Sequence, residues 1–371
     1  MQPIRQGDTG PAVAEVREAL VALGLLGRAD PGQAAEVYDH SCDLAVREFQ
    51  QHRGLTVDGT VGAETYRAIT EARWRLGDRV LWFAVAHPMV GDDVAGLQER
   101  LLELGYNTGR ADGVFGVQTE ASLRGFQRDY GLRVDGTCGP ATLRALRQLG
   151  RKVVGGRPQL LRETTALVNA GPRLIGKRVV VDPGHGGDEP GTVSHGLTEG
   201  EIVWDLAVRL EGRLAAAGVT ADLTRGRQRC PSDSERAAFA NATDADLVVS
   251  LHVDGAPSPL AGGMATYHFG TGSGLTSTVG EQLAGLVQRE IVARTGLLDC
   301  RTHAKTWELL RMTRMPAIRL EVGYLSNADD RAQLADPAFR DTVAEAILVG
   351  VQRLYLPADA DPPTGTYRIP V

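Results

Sequence analysis

The chain has 371 residues, of which 43% are hydrophobic and 23% are charged, an ordinary composition for a soluble protein of two or three domains. Its net charge of −6 lacks the basic excess of a nucleic-acid-binding surface, so we expect no nucleic-acid partner. No stretch is long and apolar enough for a membrane span, and the amino terminus lacks the apolar segment of a signal peptide. These features predict a cytoplasmic protein; a cell-wall location would require an upstream start or a non-classical export route.

The four cysteines, Cys42, Cys138, Cys230 and Cys300, are far apart and show no C-x-x-C spacing. Such a pattern supports neither a metal site built from cysteines nor a disulfide framework. We therefore interpret them as small, buried or half-buried hydrophobic residues.

The first 150 residues contain one module twice. GPAVAEVREALVALG, from Gly10, has apolar residues at helical spacing, and GDDVAGLQERLLELG repeats this pattern from Gly91. FQQHRGLTVDGTVG, from Phe49, likewise matches FQRDYGLRVDGTCG, from Phe126. Both pairs are offset by nearly the same number of residues, so they are copies of one unit. Each copy predicts a small helical bundle in which V-D-G-T is a tight turn, and we expect the bundles to pack on one another or on the rest of the chain.

This repeated pattern resembles the peptidoglycan-binding domain 1 family of three-helix modules. The second copy completes the family pattern with D-G-V-F-G from Asp112 and with Thr119, whereas the first copy has A-E-V-Y-D from Ala35 in place of that turn. The resemblance implies all-α three-helix repeats at residues 1–74 and 75–150, of which the first is degenerate. It also implies that peptidoglycan is the partner of the second repeat.

The rest of the chain predicts an α/β domain. Residues 151–177 contain two turn-rich spots and predict a linker, and residues 357–371 are proline-rich and predict an extended tail. Between them, at 178–356, apolar strands alternate with helical stretches, which indicates a parallel or mixed sheet covered by helices. The predicted strands are 79–89 between the repeats and then 179–181, 221–223, 246–252, 263–269 and 317–321; the predicted helices of this domain are 201–216, 234–240, 278–295 and 337–355.

Four residues of this domain form a candidate metal centre. His185 follows the strand VVV in the loop D-P-G-H-G-G, at the edge of an open sheet where ligands gather. Glu199 lies at a helix start, and His252 and Glu321 each end a predicted strand. Two histidines and one carboxylate are a common catalytic zinc set that leaves a fourth position open. A further carboxylate beside the metal can move a proton, and Glu321 is the candidate for that role.

The residue types alone leave alternatives open around this centre. Glu201, two positions after Glu199, is a second candidate ligand, and Glu199 is then only a carboxylate at a helix start. His195 is a third candidate ligand, or else a loop residue at the rim of the pocket. Asp182 either supports the turn or forms a hydrogen bond with a ligand histidine from outside the metal shell.

The domain strongly resembles the zinc-dependent N-acetylmuramoyl-L-alanine amidase family of the amidase 3 type, over about residues 178–355. The family's motifs occur in order as VVVDPGHGG, GLTEGEIVWDLA, LTRG with SERAAFAN, ADLVVSLH, GGMATYHFG and RMPAIRLEVGYLSN. The resemblance implies a twisted mixed sheet flanked by helices, and zinc bound by His185, Glu199 and His252. It implies Glu321 as the catalytic residue that activates water, and cleavage of the amide between N-acetylmuramic acid and L-alanine in peptidoglycan or muramoyl peptides.

One position departs from the family motif. The usual S-I-H-A-N is S-L-H-V-D here, so Asp254 replaces an asparagine. We expect Asp254 at the pocket, where its added negative charge weakens the Lewis acidity of the metal or changes substrate contacts.

The order of the domains is similar to that of the actinobacterial CwlM-type proteins. That resemblance implies an alternative function, a cytosolic regulator of peptidoglycan precursor synthesis with little or no hydrolase activity and a partner among the cytosolic enzymes of that synthesis. The tail agrees with this alternative, because Thr364 and Thr366 would be accessible to a kinase.

Overall fold

The computed structural model describes residues 2–27, 36–149, 158–271 and 276–367. Two compact units are present, Met1–Leu161 and Arg162–Val371. Part of the predicted linker, residues 151–157, and the end of the predicted tail, residues 368–371, lie outside the described residues. Within the described ranges, no helix combines the length and the apolar character that crossing a membrane requires. All four cysteines have free thiols.

The described part of the first unit contains three helices in each copy of the repeat, so the predicted all-α repeats are confirmed. Each copy has its own apolar core. Arg53 of the first copy forms an ion pair with Asp92 of the second at 2.5 Å, and the copies therefore contact each other. The helices are α1 (Pro11–Ala22), α2 (His40–Arg53), α3 (Ala63–Ala72), α4 (Asp92–Glu103), α5 (Val117–Asp129) and α6 (Pro140–Gln148).

A polar side chain holds the turn before the second helix of each copy. In the second copy, the amide of Gln98 donates to Asp112 and accepts from the backbone of Gly113. In the first copy, Arg17 occupies the matching helical position and donates to the backbone of Val37 and to Asp39. The first copy thus lacks the D-G turn, and the charged Arg17 takes the place of Gln98 in holding the segment before the second helix.

The predicted strand at residues 79–89 is wrong. Leu81 is fully buried and forms a single bridge with Cys138, while Trp82 and Val85 are exposed. Because the segment runs beside a helical bundle, its backbone has no neighbouring strand to pair with along its length. Its apolar residues therefore do not form a strand: Leu81 is buried by itself, and several of its apolar neighbours are exposed.

The second unit has the predicted α/β fold. A six-stranded mixed sheet has the order β4-β1-β5-β8-β6-β7, with neighbouring strands parallel except β6 against β8. Apolar residues pack on both faces of this sheet. The strands are β1 (Arg178–Pro183), β2 (Val193–Ser194), β3 (Leu197–Thr198), β4 (Thr220–Leu223), β5 (Leu247–Asp254), β6 (Met264–Phe269), β7 (Asp299–Lys305) and β8 (Ala317–Tyr324). Helix α7 (Pro158–Asn169) includes the boundary between the two units. The helices that follow are α8 (Glu199–Ala216), α9 (Asp233–Ala242), α10 (Thr278–Thr295), α11 (Glu308–Met312), α12 (Ala328–Ala335) and α13 (Pro337–Tyr355).

Several short elements of this unit were not predicted. Strand β7 is an edge strand of exposed and half-buried residues, so its sequence lacks an apolar run. The hairpin β2-β3 and the short helices α11 and α12 also lack a long periodic pattern. Helix α8 begins two residues earlier than predicted because Thr198 caps it, accepting from the backbone N–H of Glu201.

The tail, as far as Tyr367, is not extended as predicted. It forms a short 3-10 helix at Ala358–Ala360 and then returns to the domain, where Asp361 pairs with Arg353 of α13 at 2.7 Å. The backbone N–H of Gly365 donates to the buried carboxylate of Glu290 on α10. A buried carboxylate needs hydrogen-bond donors, and the tail supplies one of them.

Candidate functional site

Three neighbouring parallel strands bring the predicted site residues to one edge of the sheet. Strands β1, β5 and β8 are adjacent, so their carboxyl ends meet. His252 on β5 and Glu321 on β8 are direct register partners. His185 follows β1, and Glu199 is the first residue of α8. The four residues therefore converge.

The loop that bears His185 is held by two arginines. His185 has a left-handed backbone, with φ of 53°, a conformation that costs free energy in a residue with a side chain. Arg225 donates to the carbonyl oxygens of Pro183 and Gly184 at 2.7 and 2.8 Å. Arg236 donates to the carbonyl of His185 at 3.2 Å. These contacts stabilise the strained conformation.

Asp182 lies beneath this loop, fully buried. Its carboxylate accepts hydrogen bonds from Arg236, Thr224 and Ser250, and among the described residues it bonds to neither histidine. Burial favours the neutral acid, but Arg236 and the two hydroxyls hold the pKa of Asp182 below its usual range. Of the two predicted roles, the contacts match support of the turn.

We expect Arg236→Leu to destabilise the second unit by about 3–5 kcal/mol, because it leaves a buried, unpaired carboxylate. The Asp182–Arg236 pair is 2.7 Å long, and its side chains are only 1% and 4% exposed. Urea unfolding measures the loss. Arg209→Leu is the matched control, because its ion pair with Asp205 lies at the surface and contributes about 1 kcal/mol or less. Equal losses in the two variants would contradict a special role for the buried pair.

His185, Glu199 and His252 present one ligand atom each within 4.8 Å of one another, and they are the one such group that the described residues contain. The same carboxylate oxygen of Glu199 lies 3.2 Å from Nε2 of His185 and 2.9 Å from Nδ1 of His252. Its other oxygen accepts from the backbone N–H of Thr192 at 3.0 Å. The three side chains thus point at a common position.

Two glycines leave space for these side chains. A Cβ on Gly184 would overlap the ring of His252. A Cβ on Gly191 would lie 2.5 Å from Glu199 Oε2 and 2.8 Å from the ring of His185. Side chains at either position would displace the residues of the cluster.

The charges of the cluster suit a cation. Burial raises the pKa of Glu199, but hydrogen bonds with His185 and His252 outweigh it and hold that pKa well below its usual range. Burial, aided by the nearby Arg319, lowers the pKa of His252 to about 4. An ionised carboxylate and a neutral imidazole are the forms that bind metal ions.

Glu321 lines a cavity together with His185 and Glu199, and this cavity has a volume of about 460 Å³. Burial raises the pKa of Glu321 to about 7, although the adjacent Arg319 opposes this rise. Arg319 donates to Glu321 Oε1 through Nε at 2.9 Å and Nη2 at 2.7 Å. A carboxylate whose pKa is near neutrality is suited to accept and return a proton.

The remaining predicted residues are placed as follows. Asp254 lines the cavity. His195 is exposed between β2 and β3, hydrogen-bonded to Ser194, and is absent from the described residues that line the cavity. Its position at the rim of the pocket stays a prediction. Glu201 is exposed and pairs with Arg227 at 2.6 Å, away from the ligand cluster.

Two residues of the site were missed by the sequence reasoning. Glu189 lies 3.3 Å from Nδ1 of His185 and lines the cavity. A carboxylate that contacts the second ring nitrogen of a ligand histidine commonly orients that ring. In the sequence, the only indication of this contact was that Glu189 lies four residues after His185. Arg319 lines the cavity on the strand of Glu321. Its signal was an arginine within an otherwise apolar strand, two residues before Glu321.

Comparison with known proteins identifies the family to which the chain belongs. A profile described as N-acetylmuramoyl-L-alanine amidase matches residues 179–353, and one described as a peptidoglycan binding domain matches 9–69 and 90–146. The chain is 50% identical over 374 residues to N-acetylmuramoyl-L-alanine amidase CwlM of Mycobacterium tuberculosis, covering 98% of this chain and 92% of that protein. The chain belongs to the N-acetylmuramoyl-L-alanine amidase family.

Other amidases match about half of the chain. N-acetylmuramoyl-L-alanine amidase LytC of Bacillus subtilis is 29% identical over 182 residues, which is 49% of this chain and 36% of that amidase. The crystal structure of an N-acetylmuramoyl-L-alanine amidase from Clostridium difficile is similar with a TM-score of 0.45 and 28% identity, covering 47% of this chain and 94% of that one. The amino-terminal repeats are shared with the mycobacterial amidase, whose match extends over nearly the whole chain.

Proposed function

We propose that this amidase-family protein uses zinc to hydrolyse the amide between N-acetylmuramic acid and L-alanine in peptidoglycan or its fragments. The observation that supports this proposal is the convergence of His185, Glu199 and His252 within 4.8 Å. Two of these residues, His185 and Glu199, line one cavity with Glu321. The peptidoglycan-binding repeats match the same substrate class.

The donor set fits zinc. Two imidazole nitrogens and one carboxylate oxygen are a usual set of three protein ligands in catalytic zinc sites, which leave one position open. The space that Gly184 and Gly191 leave for these side chains supports the same assignment. When bound, zinc would supply Lewis acidity at the scissile carbonyl.

The chain's own residues would supply binding and proton transfer. Glu321 accepts a proton from the attacking water and returns it to the leaving nitrogen, because its raised pKa allows both transfers near neutral pH. Glu189 orients the ring of His185 through Nδ1. Arg225 and Arg236 hold the His185 loop in place.

The pH profile should show an acid limb that belongs to Glu321. This residue acts in its ionised form, so kcat/KM is expected to fall as pH decreases through its pKa. Arg319→Leu removes a cation that lowers this pKa, so the limb should move to higher pH by roughly one unit or more. Initial rates across about pH 5–9 measure the shift. A limb that stays in place would show that another group controls the rate.

Identifying the bond that the protein cleaves tests the proposed reaction directly. We expect the zinc-loaded protein to release a peptide with a new amino-terminal L-alanine from N-acetylmuramoyl-L-alanyl peptides, and a chelator to stop the release. Mass spectrometry identifies both products. Absence of any new amino terminus with stoichiometric zinc bound would refute the proposal.

A second candidate is a regulator of peptidoglycan precursor synthesis with little hydrolase activity, acting through a cytosolic enzyme. The observation that favours it is the ion pair of Arg319 with Glu321, which occupies one oxygen of the proposed base. Phosphorylation of the tail stays a prediction: Thr366 is exposed, whereas Thr364 is half-buried and accepts from Arg353 at 3.0 Å. The cytosolic location also stays a prediction. Bound zinc without peptide release would favour this candidate.

A further inference from the structure

Arg319 is a cation inside an acidic cavity. Among the described residues that line the cavity, it is the only lysine or arginine. Four of the other lining residues carry carboxylates, at Glu189, Glu199, Asp254 and Glu321. An anionic ligand that enters this cavity can therefore pair with one cationic side chain, that of Arg319, in addition to any metal ion that is bound there.

The guanidinium of Arg319 is oriented without using all its donors. Both Nε and Nη2 donate to the same oxygen of Glu321, and none of the described residues accepts from Nη1. The guanidinium carbon also lies 4.6 Å from the ring of Trp307, which in turn packs on Tyr267 at 4.6 Å. Glu321 and Trp307 already fix the orientation of the guanidinium. A ligand that accepts a hydrogen bond from Nη1 therefore loses little binding free energy to ordering this side chain.

The position of Arg319 suits the peptide side of the substrate. It lies two residues before Glu321 on the same face of β8, so the two Cα atoms are roughly 6.6 Å apart. One residue of extended peptide spans about 3.3–3.6 Å, so a scissile amide beside Glu321 places the next residue or two of the peptide within reach of Arg319. A group on the second peptide residue can therefore come within reach of the Arg319 side chain.

On the basis of the proposed function, the geometry points to Arg319 as the residue that selects muramoyl peptides with a free α-carboxylate on the second residue of the peptide. A carboxylate accepts a charge-assisted hydrogen bond from the guanidinium. The corresponding carboxamide has no charge, and its NH₂ group is a donor that cannot pair with a second donor. The cavity thus favours acidic peptides over amidated ones.

A pair of matched ligands tests this selection by calorimetry. Both are N-acetylmuramoyl-L-alanyl-D-glutamyl analogues with a blocked γ-carboxyl and with a methylene in place of the scissile nitrogen, so neither can be hydrolysed. One has a free α-carboxylate and the other an α-carboxamide. We expect the zinc-loaded protein to bind the carboxylate form roughly tenfold more tightly, the effect of one charge-assisted hydrogen bond. In Arg319→Leu and Arg319→Gln the two dissociation constants should become equal, whereas Arg209→Leu should keep the tenfold ratio.

Equal dissociation constants in the unmodified protein would overturn the inference, as would a preference that survives loss of the arginine. Arg319→Gln can still donate to Glu321, so it provides the result if the leucine variant does not fold. Binding is measured on analogues that cannot be cleaved, so the proposed hydrolysis and the proposed role of Arg319 can be refuted independently. A tenfold preference without cleavage of the natural amide refutes only the proposed function, and cleavage without the preference refutes only the role of Arg319.

Discussion

Glu321→Gln is expected to lower the rate of peptide release by about 10²–10⁴-fold while zinc binding is retained. The amide of glutamine preserves the size of the side chain but cannot accept the proton of the attacking water. Glu321 lies in the cavity beside the ligand cluster and is not part of it, so the metal site should stay intact. Steady-state kinetics on a muramoyl peptide, with zinc content measured on the same samples, tests the prediction.

Glu201→Gln is the matched control for this variant. Glu201 also pairs with an arginine, Arg227 at 2.6 Å, but it is exposed and lies outside the ligand cluster. We expect its activity to stay within about twofold of the unmodified protein, because surface ion pairs contribute little. If Glu321→Gln retained full activity, the proton would have to move through another group.

His252→Ala is expected to weaken zinc binding by more than about 100-fold, since loss of even an outer contact to a ligand costs 10–100-fold. His252 is buried, and its ring lies 5.2 Å from that of His185, with Glu199 against both. Removing it leaves two protein ligands, too few for a catalytic zinc site. Competition with a chromogenic chelator measures the change in affinity, and hydrolysis should be lost at the same zinc concentration.

His195→Ala provides the comparison, because His195 is an exposed histidine in the hairpin next to α8. Its zinc affinity should equal that of the unmodified protein. An equal loss of affinity in both variants would show that the metal binds elsewhere, or at several weak surface sites.

Much of the fold was predictable because its long elements have strong periodic patterns. Helices α10 and α13 begin and end where the sequence places them. The convergence of His185, His252 and Glu321 was predictable as well, because each follows an apolar strand or lies near its carboxyl end, and parallel strands end at one edge of the sheet. Strands β5 and β8 continue two and three residues beyond the predicted ends. Position along a strand is therefore enough to bring such residues together.

Contacts that depend on side-chain direction could not be predicted in this way. Asp182 bonds to Arg236, 54 positions later in the chain, and no local pattern joins the two. The return of the tail depends on a buried carboxylate of α10, Glu290, which looks like a solvent-exposed helix residue in the sequence. Arg319 faces the cavity because of strand alternation, but only the structure shows its hydrogen bonds to Glu321.

Anomalous diffraction at the zinc edge, on crystals grown with one equivalent of zinc, directly tests whether His185, Glu199 and His252 bind zinc. We expect a single strong peak about 2.0–2.2 Å from a nitrogen of His185, a nitrogen of His252 and an oxygen of Glu199. The carboxylate of Glu321 should lie beside that peak and outside its ligand set. A peak held by other residues, or no peak at these three side chains, would show that this zinc site is wrong.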